Sequence, residues 1–211
     1  MQRVESVRSL RENSNRSATR KLANTPTLFG EIRQPEEGYY LVVPRTTGEL
    51  RHYIPIGFLD VNTIASDALL IVPNAGLYEF GVLTSNVHMV WLDCVGGKLK
   101  ISPRYSNDIV YRNFPWCNPT PEQKERIERS AQNILDVRAK YPNSSLADLY
   151  DRLAMPKELL DAHMRNDIEV MKAYGFYGHN MSRDDCLVKL FELYSELNSD
   201  NQTFLGFPKV F

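Results

Sequence analysis

The strongest constraint on this chain is a change of pattern at residues 115–121, a stretch holding Pro115, Pro119 and Pro121. Ahead of it lie short runs rich in Tyr, Val, Ile, Leu and Phe, at residues 39–43, 53–58, 69–72 and 77–82. Pro44, Pro55, Pro73, Gly48, Gly57 and Gly76 punctuate them. β-Branched and aromatic runs bounded by proline and glycine mark strands. One helix interrupts the strands. From Thr84 the apolar side chains of Val87, Val90, Trp91, Cys94 and Val95 recur at helical spacing, and Gly96-Gly97 ends the stripe. Further short strands are expected around residues 99–101 and 108–111. At the start, Val4, Val7 and Leu10 with Arg11 suggest a short basic helix. A polar loop with a helical turn in it follows over residues 13–27.

Beyond Pro119 the pattern is helical throughout. Thr120-Pro121-Glu122-Gln123 sets a capping hydroxyl, a first-turn proline and an N3 glutamine in the order of a capping box. Ile127, Ala131, Ile134 and Leu135 form the buried stripe of that helix. A second, short helix starts near Ser145. A third runs from about Lys157 to Gly175, with Leu160, Met164, Ile168 and Met171 on one face. Ser182 caps a fourth, with Leu187, Leu190, Phe191, Tyr194 and Leu197 inward. The predicted fold class is α+β: a mixed β-rich domain with a buried helix, residues 1–116, then a small all-α domain, residues 117–211.

The net charge of −1 hides an asymmetry. Residues 1–118 carry 13 Lys and Arg against 11 Asp and Glu, whereas residues 119–211 carry 12 against 15. In the first 21 residues Arg3, Arg8, Arg11, Arg16, Arg20 and Lys21 face only Glu5 and Glu12. An anionic partner should therefore meet the N-terminal half. No apolar run approaches the ~18 residues of a membrane helix, and the first residues lack the apolar stretch of a signal peptide. Cys94, Cys117 and Cys186 are too widely spaced for a zinc site or a disulfide framework. The expectation is a cytoplasmic chain with no membrane partner and no metal.

Catalytic patterns fail one by one. Gly96-Gly97-Lys98 follows a helix, where a phosphate loop must precede one. No G-x-G-x-x-G and no G-x-S-x-G occurs. His52, His88, His163 and His179 are scattered, and His88 reads as a partly buried structural histidine. Asp184-Asp185 and Glu36-Glu37 sit in cap and turn contexts. Asn113-Phe114-Pro115-Trp116 resembles the motif with which amino-methyltransferases hold a flipped base, but Phe114 stands where a proline is required. It reads as a hinge that packs Phe114 and Trp116 where the two halves meet. No residue is nominated as catalytic.

Several strings in order carry a resemblance. They are Arg51-His52-Tyr53-Ile54-Pro55-Ile56-Gly57-Phe58, Leu77-Tyr78-Glu79-Phe80-Gly81-Val82-Leu83-Thr84-Ser85, His88-Met89-Val90-Trp91, Gly97-Lys98-Leu99-Lys100, Arg104-Tyr105-Ser106, and the run from Ile109 through Trp116. Ala139-Lys140-Tyr141-Pro142 and Ser145-Leu146-Ala147-Asp148-Leu149-Tyr150-Asp151 follow in the tail. Over essentially its whole length the chain resembles the C-terminal part of MmeI-like adenine-specific DNA methyltransferases, which include type IIG restriction–modification enzymes. The resemblance implies a target recognition domain followed by a C-terminal helical domain. It also implies double-stranded DNA and an upstream methyltransferase domain or subunit as partners. S-Adenosylmethionine would be bound by the parent enzyme and not by this chain, which would not be catalytic alone.

By the same resemblance, Lys100, Ser102, Arg104, Arg45, Asp67 and Ala68 are the candidates for reading bases. The common family pattern Lys-Ser-Asp-Tyr-Arg is here Lys100-Ile101-Ser102-Pro103-Arg104, so the target base cannot be carried over. On an extended strand Lys100 and Ser102 would share a face and address one base pair together. Arg8, Arg11, Arg16, Arg20 and Lys21 are nominated for phosphates, with Ser14 and Ser17 as neutral donors. The competing expectation is a docking module that assembles with a methyltransferase core without touching DNA. An intact small methyltransferase using residues 113–116 is the third.

Overall fold

A computed structural model describes residues 2–176 and 181–199 of the chain. His179, and residues 200–211 of the predicted all-α domain, lie outside the described residues. The chain divides into two compact units, residues 1–33 and residues 34–211.

The first unit holds two helices, α1 (Gln2–Glu12) and α2 (Ser17–Lys21), and a 3-10 turn, Leu22–Asn24. The expected basic helix and the helical turn in the polar loop are both present. Arg11 fastens the unit. Its guanidinium donates to the carbonyls of Leu22 at 2.9 Å, Thr25 at 2.8 Å and Leu28 at 2.9 Å. The Leu22 and Thr25 carbonyls also accept backbone N–H groups, from Thr25 at 3.1 Å and Leu28 at 3.0 Å, so Arg11 adds to a turn already hydrogen-bonded.

The second unit is built on a three-stranded antiparallel sheet, ordered β2-β1-β3, with β1 (Tyr39–Pro44) between β2 (Gly57–Asp60) and β3 (Leu69–Val72). Leu41 pairs with Phe58 on one side and Val72 on the other. Leu41, Val43, Leu70 and Val72 turn into the main core, while Tyr40, Val42 and Ile71 form a smaller cluster on the opposite face. The run at 53–58 contributes only its end to a strand. Pro55 has no N–H for a ladder, and Ile56 N–H turns back to Ile54 O at 2.8 Å.

Three expected strands are something else. Residues 77–82 form a helix, α3 (Leu77–Leu83), in which Tyr78, Phe80, Gly81, Val82 and Leu83 are all buried. Burial on nearly every side removes the one-faced stripe that marks a helix, and aromatic and branched residues then imitate a strand. Glu79 secures its start by accepting from Gly76 N–H at 2.7 Å. Residues 107–111 form a π-helical turn, Asn107–Tyr111, capped by Ser106, whose Oγ accepts from Ile109 N–H at 3.2 Å. Of residues 99–101, Leu99 ends a strand and Lys100 and Ile101 form the turn of a hairpin, described below.

Helix α4 (Asn86–Val95) follows, with the Ser85 hydroxyl accepting from His88 N–H; of the expected stripe Val87, Val90 and Trp91 are buried, whereas Cys94 is exposed. Gly96 ends it in an extended conformation, and a Cβ there would lie 2.4 Å from Leu92 O. Only glycine fits so close an approach. Helix α5 (Pro121–Ala139) carries the Thr120–Gln123 capping box, with Ile127, Ala131 and Ile134 buried and Leu135 partly so. Helix α6 (Leu146–Leu149) is capped by Ser145, and α8 (Arg183–Ser199) by Ser182, whose Oγ accepts from Asp185 N–H at 3.1 Å.

Helix α7 (Lys157–Ala173) corrects its predicted face. Leu159, Ala162, His163, Asn166, Asp167 and Val170 are buried, whereas Met164 is exposed. An apolar count missed this face because half of it is polar. Its polar groups are bonded to other elements. Asn166 donates to Gly81 O of α3 at 2.7 Å and accepts from Ser130 Oγ of α5 at 2.9 Å. A Cβ on Gly81 would lie 2.7 Å from Ile127 and 3.2 Å from the Ala131 Cβ, so glycine lets α3 approach α5. One core therefore runs from β1 through α3 and α4 to α5, α7 and α8.

Candidate nucleic-acid interface

The expected base-reading residues lie on one edge of the second unit. β4 (Gly97–Leu99) and β5 (Ser102–Arg104) form an antiparallel hairpin with Gly97 opposite Arg104, Lys98 opposite Pro103 and Leu99 opposite Ser102. The hairpin joins the segment after β1. Thr46 bridges Arg104, Tyr105 N–H donates to Arg45 O at 2.8 Å, and Thr47 N–H donates to Pro103 O at 3.3 Å. Arg45 in turn holds the loop before β3. Its N–H donates to Ala68 O at 2.9 Å and its Nε to Asp67 O at 2.8 Å. Backbone pairing thus brings Arg45, Asp67, Ala68, Ser102 and Arg104 into one array.

Lys100 differs from its expectation. It sits in the turn, at φ 60°, and not on a strand with Ser102. The two therefore do not share a strand face. The left-handed conformation costs a side-chain-bearing residue roughly 1–2 kcal/mol, and here it presents the ammonium at the hairpin tip. Among the described residues the side chains of Lys100, Ser102 and Arg104 have no hydrogen-bond or ion-pair partner. Lys98 adds a third cation to the hairpin, and residues 97–107 contain no acid.

The base of this edge is anchored by two residues that carried no functional signal in sequence. Tyr105, directly after β5, is buried and its hydroxyl lies 2.8 Å from Nε2 of His88 on α4. His88 is completely buried, more deeply than expected, and packs edge-on against Phe114 at 4.4 Å between ring centroids. Burial pushes its pKa down to about 3, so the ring is neutral at ordinary pH. The alternation of exposed Arg104 and buried Tyr105 was the signal available for this anchor.

The residues nominated for phosphates differ in what occupies them. Arg11 bonds three carbonyls, as described. Arg20 donates one group to Ser14 O at 2.8 Å, and Arg8 lies 3.7 Å from Glu5. Ser14 Oγ accepts from Arg16 N–H at 3.2 Å, and Ser17 opens α2. Arg16 and Lys21 are exposed, with no side-chain partner among the described residues.

The segment that resembled a base-holding motif is structural. Asn113 donates its amide to Asp108 O at 2.9 Å and Ile109 O at 3.1 Å, Phe114 is fully buried, and Tyr174 donates to Pro115 O at 2.9 Å. A stacked base could not displace Phe114 without opening the core, and Gly96-Gly97 closes a helix. Segment 113–116 therefore packs the core and offers no free stacking face for a base. Among the described residues no group of three His, Cys, Asp or Glu could hold a metal ion, and no helix is long and apolar enough to cross a membrane.

Comparison with known proteins divides the chain near residue 118. Residues 1–118 match the family described as the MmeI target recognition domain, and residues 119–201 the MmeI C-terminal domain. DNA methyltransferase A of Bacillus subtilis (strain 168) is 35% identical over 196 residues, covering 93% of this chain and 22% of that protein. The solved structure of the type IIL restriction-modification enzyme MmeI in complex with DNA matches with a TM-score of 0.86 and 43% identity, over 93% of this chain and 26% of the other. The chain spans about a quarter of the length of these relatives.

Proposed function

Since the chain belongs to the MmeI family, as a target recognition domain joined to a C-terminal domain, we propose that it is the sequence-reading part of a site-specific adenine DNA methyltransferase of the restriction–modification type. The observation that carries this is the array of Arg45, Asp67, Ser102 and Arg104, tied together by backbone hydrogen bonds while Ser102 and Arg104 keep their side-chain donors free. Arginine donates in pairs to guanine O6 and N7, and a carboxylate such as that of Asp67 accepts from cytosine N4. Lys100, at the turn, extends the array toward a neighbouring base pair. The loop before β3 meets DNA through Asp67 and Ala68.

The phosphates are met by the first unit, through Arg16 and Lys21 above all. Arg8 and Arg20 take part with their remaining groups, while Arg11 acts by holding the unit together. Methyl transfer and S-adenosylmethionine belong to a catalytic domain or subunit that this chain serves as partner. The division at residue 116 separates the reading part from a helical part that buttresses it. The expected location is the cytoplasm, where its DNA lies.

Fluorescence-anisotropy titration with a randomised-core duplex at two salt concentrations tests this. The expected result is micromolar, salt-sensitive binding that weakens in Arg16→Ala and Lys21→Ala. No binding at low salt would reject DNA contact by this chain. A defined complex with a methyltransferase core, formed without DNA affinity, would replace it with a docking role.

A further inference from the structure

The hairpin register constrains more than its polar residues. Residues directly opposite in an antiparallel pair share a face, with Cβ atoms about 4.5–5.5 Å apart. Leu99, opposite Ser102, therefore stands on the same face as Ser102 and, two residues further, Arg104. Pro103 is on the other face, where it lines a groove of about 560 Å³ that also includes Thr47, Met89 and Leu92. The Leu99–Ser102–Arg104 face is thus turned away from that groove. Leu99 is 56% exposed there, on a two-stranded ribbon that holds three cations and no acid.

We propose that Leu99 is an apolar reader of DNA, contacting the C5-methyl group of a thymine beside the base pair met by Ser102. The inference rests on the recognition function proposed above. If Ser102 and Arg104 face base edges, Leu99 cannot avoid them, because its Cβ is closer to Ser102 than two base-pair steps of about 3.4 Å each. A two-stranded ribbon fits the major groove, where the thymine methyl is the apolar feature among donors and acceptors. Over cytosine N4 or guanine O6 an aliphatic side chain would strip water and return no hydrogen bond. Leu99 thus favours thymine and disfavours a G·C pair at one position. Ser102 to Arg104 spans about 6.6–6.8 Å along the strand, which sets the guanine read by Arg104 about two steps away.

The test uses the full chain. Sequences bound from a randomised-core duplex library are selected, and each selected thymine is then replaced singly by deoxyuridine, which lacks only the methyl group. One thymine is expected at which this substitution lowers affinity about fourfold, the effect of one buried methyl. In Leu99→Ala that dependence should vanish while the guanine preference persists. Because Leu99 is exposed, the thermal melt of this variant should match wild type. Methyl dependence at no thymine, or dependence that survives in Leu99→Ala, overturns the role of Leu99 alone. Leu99-dependent unstacking, seen as a rise in 2-aminopurine fluorescence, would replace it with a wedge between bases. Binding without any selected sequence would instead reject the recognition function on which it stands.

Discussion

The α3–α5–α7 core and the hairpin edge both hold many polar side chains, yet they use them in opposite ways. In the core most such groups face inward to a partner, although Thr84 Oγ1 and His163 Nδ1 have no hydrogen bond among the described residues. Arg138 donates to Ile56 O at 2.7 Å and to the Tyr150 hydroxyl at 2.8 Å, and lies over the rings of Phe80 and Tyr150. Tyr150 Oη in turn meets His163 Nε2 at 2.6 Å. Tyr53 donates to Asp167 at 2.7 Å, and the same carboxylate accepts from Asn86 N–H at 2.7 Å. On the hairpin, the backbone is bonded and the side chains of Lys100, Ser102 and Arg104 are left to solvent. Polar groups that satisfy one another specify a packing, whereas polar groups left open on a fixed backbone are available to a ligand.

This contrast can be broken most severely in the core. Arg138→Ala leaves a buried carbonyl and a buried hydroxyl without their donor and removes packing from two rings. It should lower the unfolding free energy by about 3 kcal/mol, read by urea titration. A loss below about 0.5 kcal/mol would mean that the network is ornamental. Gly81→Val should be next, at about 1–3 kcal/mol, since its side chain must displace Ile127 or Ala131.

Acid sharpens the comparison, because the titrating groups of the network are buried and those of the hairpin are not. Burial, with Arg138 nearby, lowers His163 to about 3, and burial lowers His88 to about 3, both from 6.5. As pH falls below 6.5 the unfolded chain gains two protons that the fold refuses, so stability falls. Asp167 opposes them. Burial raises it from 3.8 to about 6, so the fold takes up its proton first and stability gains between those values. The net is one proton in favour of the unfolded chain, a loss of about 1.4 kcal/mol per pH unit between pH 6 and 4. Asp167→Asn removes the opposing group and should roughly double that slope. An unchanged slope would contradict the burial of the Asp167 carboxyl. The smallest effect is expected at the first unit, where Arg16→Ala should reduce the salt dependence of DNA binding by about one counterion and leave sequence preference intact.

How much of this was legible in sequence follows the same line. Local hydrogen-bond chemistry was readable, so the helix starts at Thr120, Ser145 and Ser182 and the strands around Leu41 and Leu70 stand where the residues place them. Long-range burial was not. α3 is buried nearly all round and imitates a strand, and α7 hides Asn166 and Asp167 from any apolar count. The turn at Lys100 was invisible because a lysine gives no hint of a positive φ. The family resemblance supplied the candidates of the reading edge, but not their pairing. Arg45 meets Asp67 and Ala68 across a sheet, and Arg104 meets Thr46 across 58 residues of chain.

The central claim is that the hairpin edge reads sequence on a scaffold whose stability does not depend on it. The most direct measurement is the profile of sequences selected from a randomised duplex library by wild type and Arg104→Ala, taken together with their thermal melts. The account predicts superimposable melts and the loss of preference at one base pair, a change of about 10- to 100-fold in discrimination there. Identical profiles from the two proteins would contradict it.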